Sequence, residues 1–201
     1  MADPAYIDAD GVLTDGEAWV GLATTTLGSD TTVVTFTSTD DGQVGDWSQY
    51  MDLVVISYAR STAVAADVQL NMKLNGDAGG SYPNYTYAEQ TLRGYGTGVT
   101  ASGSASVIRL QPGEIPAASA TANQFGVAVI TFFDINSGKY KSGISQTAAD
   151  RDGAGSTALW AFTWKSQAPL TEIALQDVTG SGDFLTGSSF SLFGILPRMV
   201  A

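Results

Sequence analysis

The sequence predicts an all-β fold, an antiparallel jelly-roll β-sandwich preceded by an extended arm. Three observations lead there. No segment sustains a 3.6-residue apolar period, Thr, Val, Gly and Ser dominate, and short apolar runs are cut by turn residues every 8 to 12 positions or so. At 201 residues with 44% hydrophobic and 14% charged side chains, the chain has enough apolar material for one real core. One sandwich domain over residues 17–201 is the expectation, with residues 1–16, acidic and small, as an arm that orders on a partner.

The elements follow in order. Residues 18–27 and 31–37 read as a hairpin around Gly28-Ser29-Asp30, with Thr32, Val34 and Phe36 on one face. Residues 50–60 are apolar on both faces, Met51, Leu53 and Val55 alternating with Val54, Ile56 and Tyr58, as expected of a central strand or a subunit contact. In residues 64–74 the positions Val64, Ala66, Val68, Leu70, Met72 and Leu74 share one parity, and the strand should end at Asn75-Gly76-Asp77, residues that tolerate positive φ. Residues 79–98 read as a long loop carrying Tyr82, Tyr85, Tyr87 and Tyr95. Further strands are expected at 104–110, 125–133, 140–147, 158–165, 170–178 and 190–196, approaching ten in all, which suits a jelly roll.

Composition excludes several function classes. Without cysteine or histidine there is no disulfide, no thiol chemistry and no histidine base or zinc ligand. A net charge of −11 with scattered Lys and Arg argues against nucleic acid, which needs clustered cations. The start, Met1-Ala2-Asp3-Pro4, has no positive region followed by an apolar one, and nowhere do about 18 apolar residues run together, so neither a signal peptide nor a membrane span is expected.

Candidate chemistry is sparse. A serine nucleophile would need Lys73, Lys139, Lys141 or Lys165 as its base, and no Ser-x-x-Lys spacing supplies one. Glu172 reads as an exposed strand charge rather than half of a glycosidase pair. Asp8, Asp10, Asp15 and Glu17 gather oxygen ligands but miss the calcium-loop spacing, whose fifth and twelfth positions fall on Val12 and Trp19; Asp150-Arg151-Asp152-Gly153 has the same weakness. Gly94-Tyr95-Gly96-Thr97-Gly98 opens no helix and reads as a turn, not a phosphate loop. No catalytic residue, metal or cofactor is therefore expected. Trp160, Phe162 and Trp164 share a parity that fits the inside of a sandwich, while Tyr82, Tyr85, Tyr87 and Tyr95 are equally open to a role as flat faces for sugar rings.

The end of the chain, from Trp160 through Ile173-Ala174-Leu175 to Gly187-Ser188-Ser189-Phe190-Ser191-Leu192-Phe193-Gly194-Ile195, resembles the closing motif of virion proteins from tailed bacteriophages. The similarity extends to Tyr50-Met51-Asp52-Leu53-Val54-Val55, to Ala59-Arg60-Ser61, and to Leu74-Asn75-Gly76-Asp77 followed by Tyr82 and Tyr85; Phe193 stands where the family more often has tyrosine. The resemblance implies a β-sandwich whose last two strands carry the motif, and a non-enzymatic role on the exterior of the virion. That role would be capsid decoration or cement on the major capsid protein, usually as a homotrimer, or else a tail-fibre module that binds host glycans. The apolar groups assigned to contacts are Trp19, Met51, Tyr58, Ile195, Met199 and Val200. The tyrosines belong to the glycan alternative.

Overall fold

A computed structural model describes residues 19–80, 85–96, 98–150, 155–177 and 182–196. Their regular structure is twelve strands and one turn of 3₁₀ helix. In chain order these are β1 (Trp19–Thr26), β2 (Val33–Thr37), the 3₁₀ turn (Trp47–Gln49), β3 (Asp52–Ala59), β4 (Asp67–Leu74), β5 (Tyr87–Tyr95) and β6 (Gly98–Val107). They are followed by β7 (Glu114–Pro116), β8 (Gly126–Phe133), β9 (Lys141–Ala149), β10 (Ser156–Trp164), β11 (Glu172–Asp177) and β12 (Ser189–Ile195). They form two antiparallel sheets, an eight-stranded one in the order β1-β12-β3-β8-β9-β10-β5-β6 and a four-stranded one in the order β2-β11-β4-β7. This is the expected β-sandwich. The motif at the end of the chain contributes β12, between β1 and β3.

The core lies where the smaller sheet covers the larger. From the large sheet Leu53, Val55, Ile130, Phe132, Phe162, Trp164, Phe190 and Leu192 point inward; the small sheet answers with Val34, Phe36, Leu70, Met72, Leu74, Ile115, Ile173 and Leu175. Phe132 meets Phe162 edge-on at 5.6 Å, and Phe184 meets Phe190 at 4.9 Å, separations at which aromatic pairs attract beyond their area. The predicted parity of β4 holds for Val68 to Leu74, but the strand starts at Asp67, and Val64 is almost fully exposed. Asn75 and Gly76 both take positive φ, as the turn chemistry predicts. The both-sided apolar segment becomes β3, a central strand between β12 and β8.

Three expectations are corrected. Residues 18–27 and 31–37 are not a hairpin: β1 pairs with β12 and β2 with β11, in different sheets. The chain turns a corner because Thr31 exchanges both backbone hydrogen bonds with Phe184, and Leu27 N–H donates to the Ser188 carbonyl. Nor is 79–98 a loop, since it contains β5, which pairs along its length with both β10 and β6. Its apolar alternation is weak because only its first residues reach the core. The strand expected at 104–110 is instead β6, ten residues that are exposed nearly throughout and form the outer edge of the large sheet. Residues 1–16 lie outside the described residues.

Close sheet packing imposes a requirement at Gly143. It sits opposite Phe162 in the β9–β10 register, and a Cβ there would run into the Phe162 ring and the Thr131 carbonyl. Gly143→Ala is expected to lower the unfolding free energy by about 1–3 kcal/mol, read as a lower urea midpoint at unchanged slope; an unchanged midpoint would contradict this packing.

Candidate functional site

Side chains alternate across a strand, so the register of the large sheet fixes which residues share its outer face. One row runs Phe193, Val54, Thr131, Ile144, Ala161, Gln90, Gly103 from β12 to β6. The next runs Ser191, Ile56, Val129, Gln146, Leu159, Leu92, Ala101, and a third Ser189, Tyr58, Val127, Ala148, Thr157, Gly94, Val99. None of these residues is charged, on a chain of net charge −11; the flanking row, which holds Ile195, Asp52, Phe133 and Ser142, brings in one carboxylate, Asp52. The face is also where exposed apolar side chains concentrate: Tyr58 is 54% exposed, Leu92 53% and Leu159 45%, with Phe133, Ile144 and Val99 beside them. Isolated exposed apolar residues are ordinary, whereas a contiguous patch marks an interaction site. A shallow groove of about 580 Å³ crosses it, with Phe133, Ile144, Ala161 and Thr163 in its lining.

The residues expected at contacts partly converge here. Trp19 and Ile195 are register partners at one end of the sheet, and the Trp19 ring is 6.2 Å from that of Phe193. Met51, also exposed, is tied to the same end by its N–H to the Ile195 carbonyl (2.9 Å). Tyr58 stands apart from this group, in the third row of the outer face. Met199 and Val200 lie outside the described residues.

The tyrosines do not form one platform. Tyr82 lies outside the described residues, and Tyr85 is half-buried. Tyr87 is fully buried, so its reading as a sugar contact is corrected: its hydroxyl donates to the Asp77 carbonyl (3.0 Å) and accepts from Leu74 N–H (3.3 Å), and burial pushes the phenol pKa well up. Tyr95 is exposed near the end of the β5–β6 hairpin, with the Arg93 guanidinium 4.5 Å from its ring centroid. Trp160, Phe162 and Trp164 are buried as their parity predicts. The Trp164 indole donates to Asp77 Oδ2 (2.7 Å), whereas the Trp160 indole nitrogen has no hydrogen-bond partner.

The opposite, inner side of β5 and β6 holds a second feature. The hairpin projects beyond the edge of the small sheet, leaving a polar cleft of about 310 Å³ among Gln69, Glu89, Thr91, Arg93, Thr100, Ser102, Ser104, Gln111 and Trp160. Arg93 crosses between the sheets to Glu114 Oε2 (2.9 Å) and, more loosely, to Asp67 Oδ2 (3.8 Å). Glu89 Oε2 accepts from Gln111 N–H (2.9 Å), yet burial holds its carboxyl above the usual carboxylate range. Sequence reasoning missed Glu89 and Arg93 because the segment reads as a loop; alternation of Tyr87, Glu89, Thr91, Arg93 and Tyr95 is the signal that would have put them on one face. Among the described residues no group of three or more acidic side chains could hold a metal ion, and no helix is long and apolar enough to cross a membrane.

No family model and no curated protein matches the chain. Among solved structures, the Ruminococcus gnavus IT-sialidase CBM40 aligns over 90% of this chain and 95% of its own, at 9% identity and a TM-score of 0.27, a likeness too loose to carry an argument here.

Two outcomes follow from these environments. Tyr87→Phe strands the Asp77 carbonyl and the Leu74 N–H, so it is expected to cost about 1–2 kcal/mol in chemical denaturation. Glu89 binds its proton more tightly folded than unfolded, so its contribution to stability is full below the unfolded carboxylate pKa and declines as pH rises through the folded one. Glu89→Gln, which cannot ionise, should therefore raise the melting temperature at neutral pH, with the gain vanishing below about pH 4. A gain that stayed constant across that range in a pH series of thermal melts would contradict this account.

Proposed function

We propose that the chain is a non-enzymatic structural protein of a tailed-phage virion, a capsid decoration protein that associates with itself and with the major capsid protein. The observation that carries the reading is the outer face of the eight-stranded sheet, whose three central rows are uncharged and mostly apolar. Identical chains of net charge −11 repel one another, and this repulsion is weakest where a face brings no carboxylates together. Seven strands at about 4.8 Å and three rows at about 6.8 Å span roughly 700 Å². That is close to the 800 Å² or so that each partner contributes to a standard interface. Multiplied over several subunits, modest contacts of this kind add by avidity, which is what a cement needs. The family resemblance of the β12 motif supplies the setting, and homotrimeric association is the form it implies. The acidic remainder of the surface would then face outward.

The rival reading, a tail-fibre or receptor-binding module, has lost Tyr87 but keeps Tyr95 and the polar cleft beside it.

Sedimentation velocity over a concentration series tests the association. The wild-type chain should form oligomers that Leu159→Lys with Ile144→Lys weakens at least about tenfold, since each charge would be buried without a partner, while the melting temperature of the dilute chain stays put. A chain that remained monomeric at every concentration would overturn the self-association. Quantitative mass spectrometry of particles carrying this chain tests its place: hundreds of copies per virion fit decoration, and a few dozen or fewer would overturn it in favour of the tail.

A further inference from the structure

We infer that the polar cleft beneath the β5–β6 hairpin is a saccharide site that takes a single uncharged pyranose unit. The inference stands on the inner side of the sheet and is independent of the outer face and of where the chain sits on a particle.

The chemistry of the lining selects the ligand. Trp160 is 4% exposed, lines the cleft, and its indole N–H has no partner; the Nε of Arg93 is likewise buried without one. Buried donors left unpaired are costly, so both call for an acceptor. Glu89, whose charge burial disfavours and whose carboxylate has one N–H donor, from Gln111, has acceptor capacity left to fill. Register places these groups side by side: Trp160 is opposite Thr91, which lies between Glu89 and Arg93 on the same face of β5. A hydroxyl group both donates and accepts, and a ligand bearing several can satisfy the whole set at once. Charge excludes the simpler candidates. Asp67, Glu89 and Glu114 outnumber the one guanidinium, which disfavours a carboxylate or phosphate, while Arg93 within the cleft disfavours a small cation. The volume, about 310 Å³, is at the small end for a ligand pocket and suits one ring. Tyr95, two residues beyond Arg93 on the same face of the strand, offers an aromatic surface nearby. Because Asp67 and Glu114 are engaged by Arg93, no second carboxylate among the described residues of the cleft is left to serve Glu89 as nucleophile or base, and the proposed role is recognition rather than cleavage.

The test uses the full-length, ¹⁵N-labelled chain and follows the Trp160 indole N–H resonance, assigned by its loss in Trp160→Phe. Methyl β-glucoside, methyl β-galactoside and methyl N-acetyl-β-glucosaminide are titrated separately to about 50 mM, a range that captures millimolar affinity; sodium acetate and methylammonium chloride serve as charged controls. At least one glycoside should shift the resonance saturably, and Thr91→Val and Ser102→Ala, both judged folded by unchanged melting temperature, should each weaken that binding about threefold or more. No saturable shift with any glycoside, an equal shift with either control, or unchanged affinity in both variants would overturn the assignment.

Discussion

Four strands cannot cover eight. At about 4.8 Å per strand the small sheet shields about half the width of the large one, and this mismatch decides where every other feature of the molecule lies. Beneath the small sheet the inner face of the large one is dry and carries Leu53, Ile130, Phe132 and Phe162. Beyond the short edge strand β7 the same inner face must meet water, and there the side chains change to Glu89, Thr91, Arg93 and Ser102. The transition is fastened by Arg93, whose guanidinium reaches back to Glu114 on β7 and Asp67 on β4. With the arginine side chain 26% exposed, a charge pair at that boundary pays less desolvation than a pair in the core.

The outer face obeys the opposite logic. Nothing in the described residues packs a second layer against it, yet it presents Leu92, Ile144, Leu159 and Tyr58 instead of the lysines and glutamates usual on a solvated sheet. β5 and β10 therefore serve two surfaces at once, with odd residues of β5 on the cleft and even ones on the neutral face. Substitutions on one parity leave the other surface untouched, which makes the two functional readings separable by experiment and, in principle, by selection.

Much of the fold was legible in the sequence because burial writes itself as period. The parity of Leu70, Met72 and Leu74 and the Trp160-Phe162-Trp164 triplet match the observed burial, and the two-sided run does become a central strand, β3, though its outer parity opens from buried Val54 to Tyr58 at 54% exposed. What was not legible depends on pairing at long range. Gly28-Ser29-Asp30 is compatible with a hairpin or a corner, and the choice is made by Phe184, over 150 residues away. Tyr87 sits in a stretch of Gly, Tyr and Asn that reads as exposed, and only the fold reveals that its hydroxyl is spent on Leu74 and Asp77. The absence of charge from the three rows is likewise invisible until seven strands are set in register, since on β5 those residues alternate with Glu89 and Arg93.

The outermost strand, β6, carries no lysine, no proline and no acidic side chain along Gly98–Val107, and among the described residues no strand pairs with its outer edge, although Lys165 Nζ reaches the Ala105 carbonyl. Such a rim is a template on which another β-strand can crystallise its own hydrogen bonds, lengthening the sheet laterally. If the outer face associates as proposed, this rim would add a second mode of growth at right angles to it, zippering edge on edge. A single lysine placed midway along that rim would suppress the second while leaving the first intact.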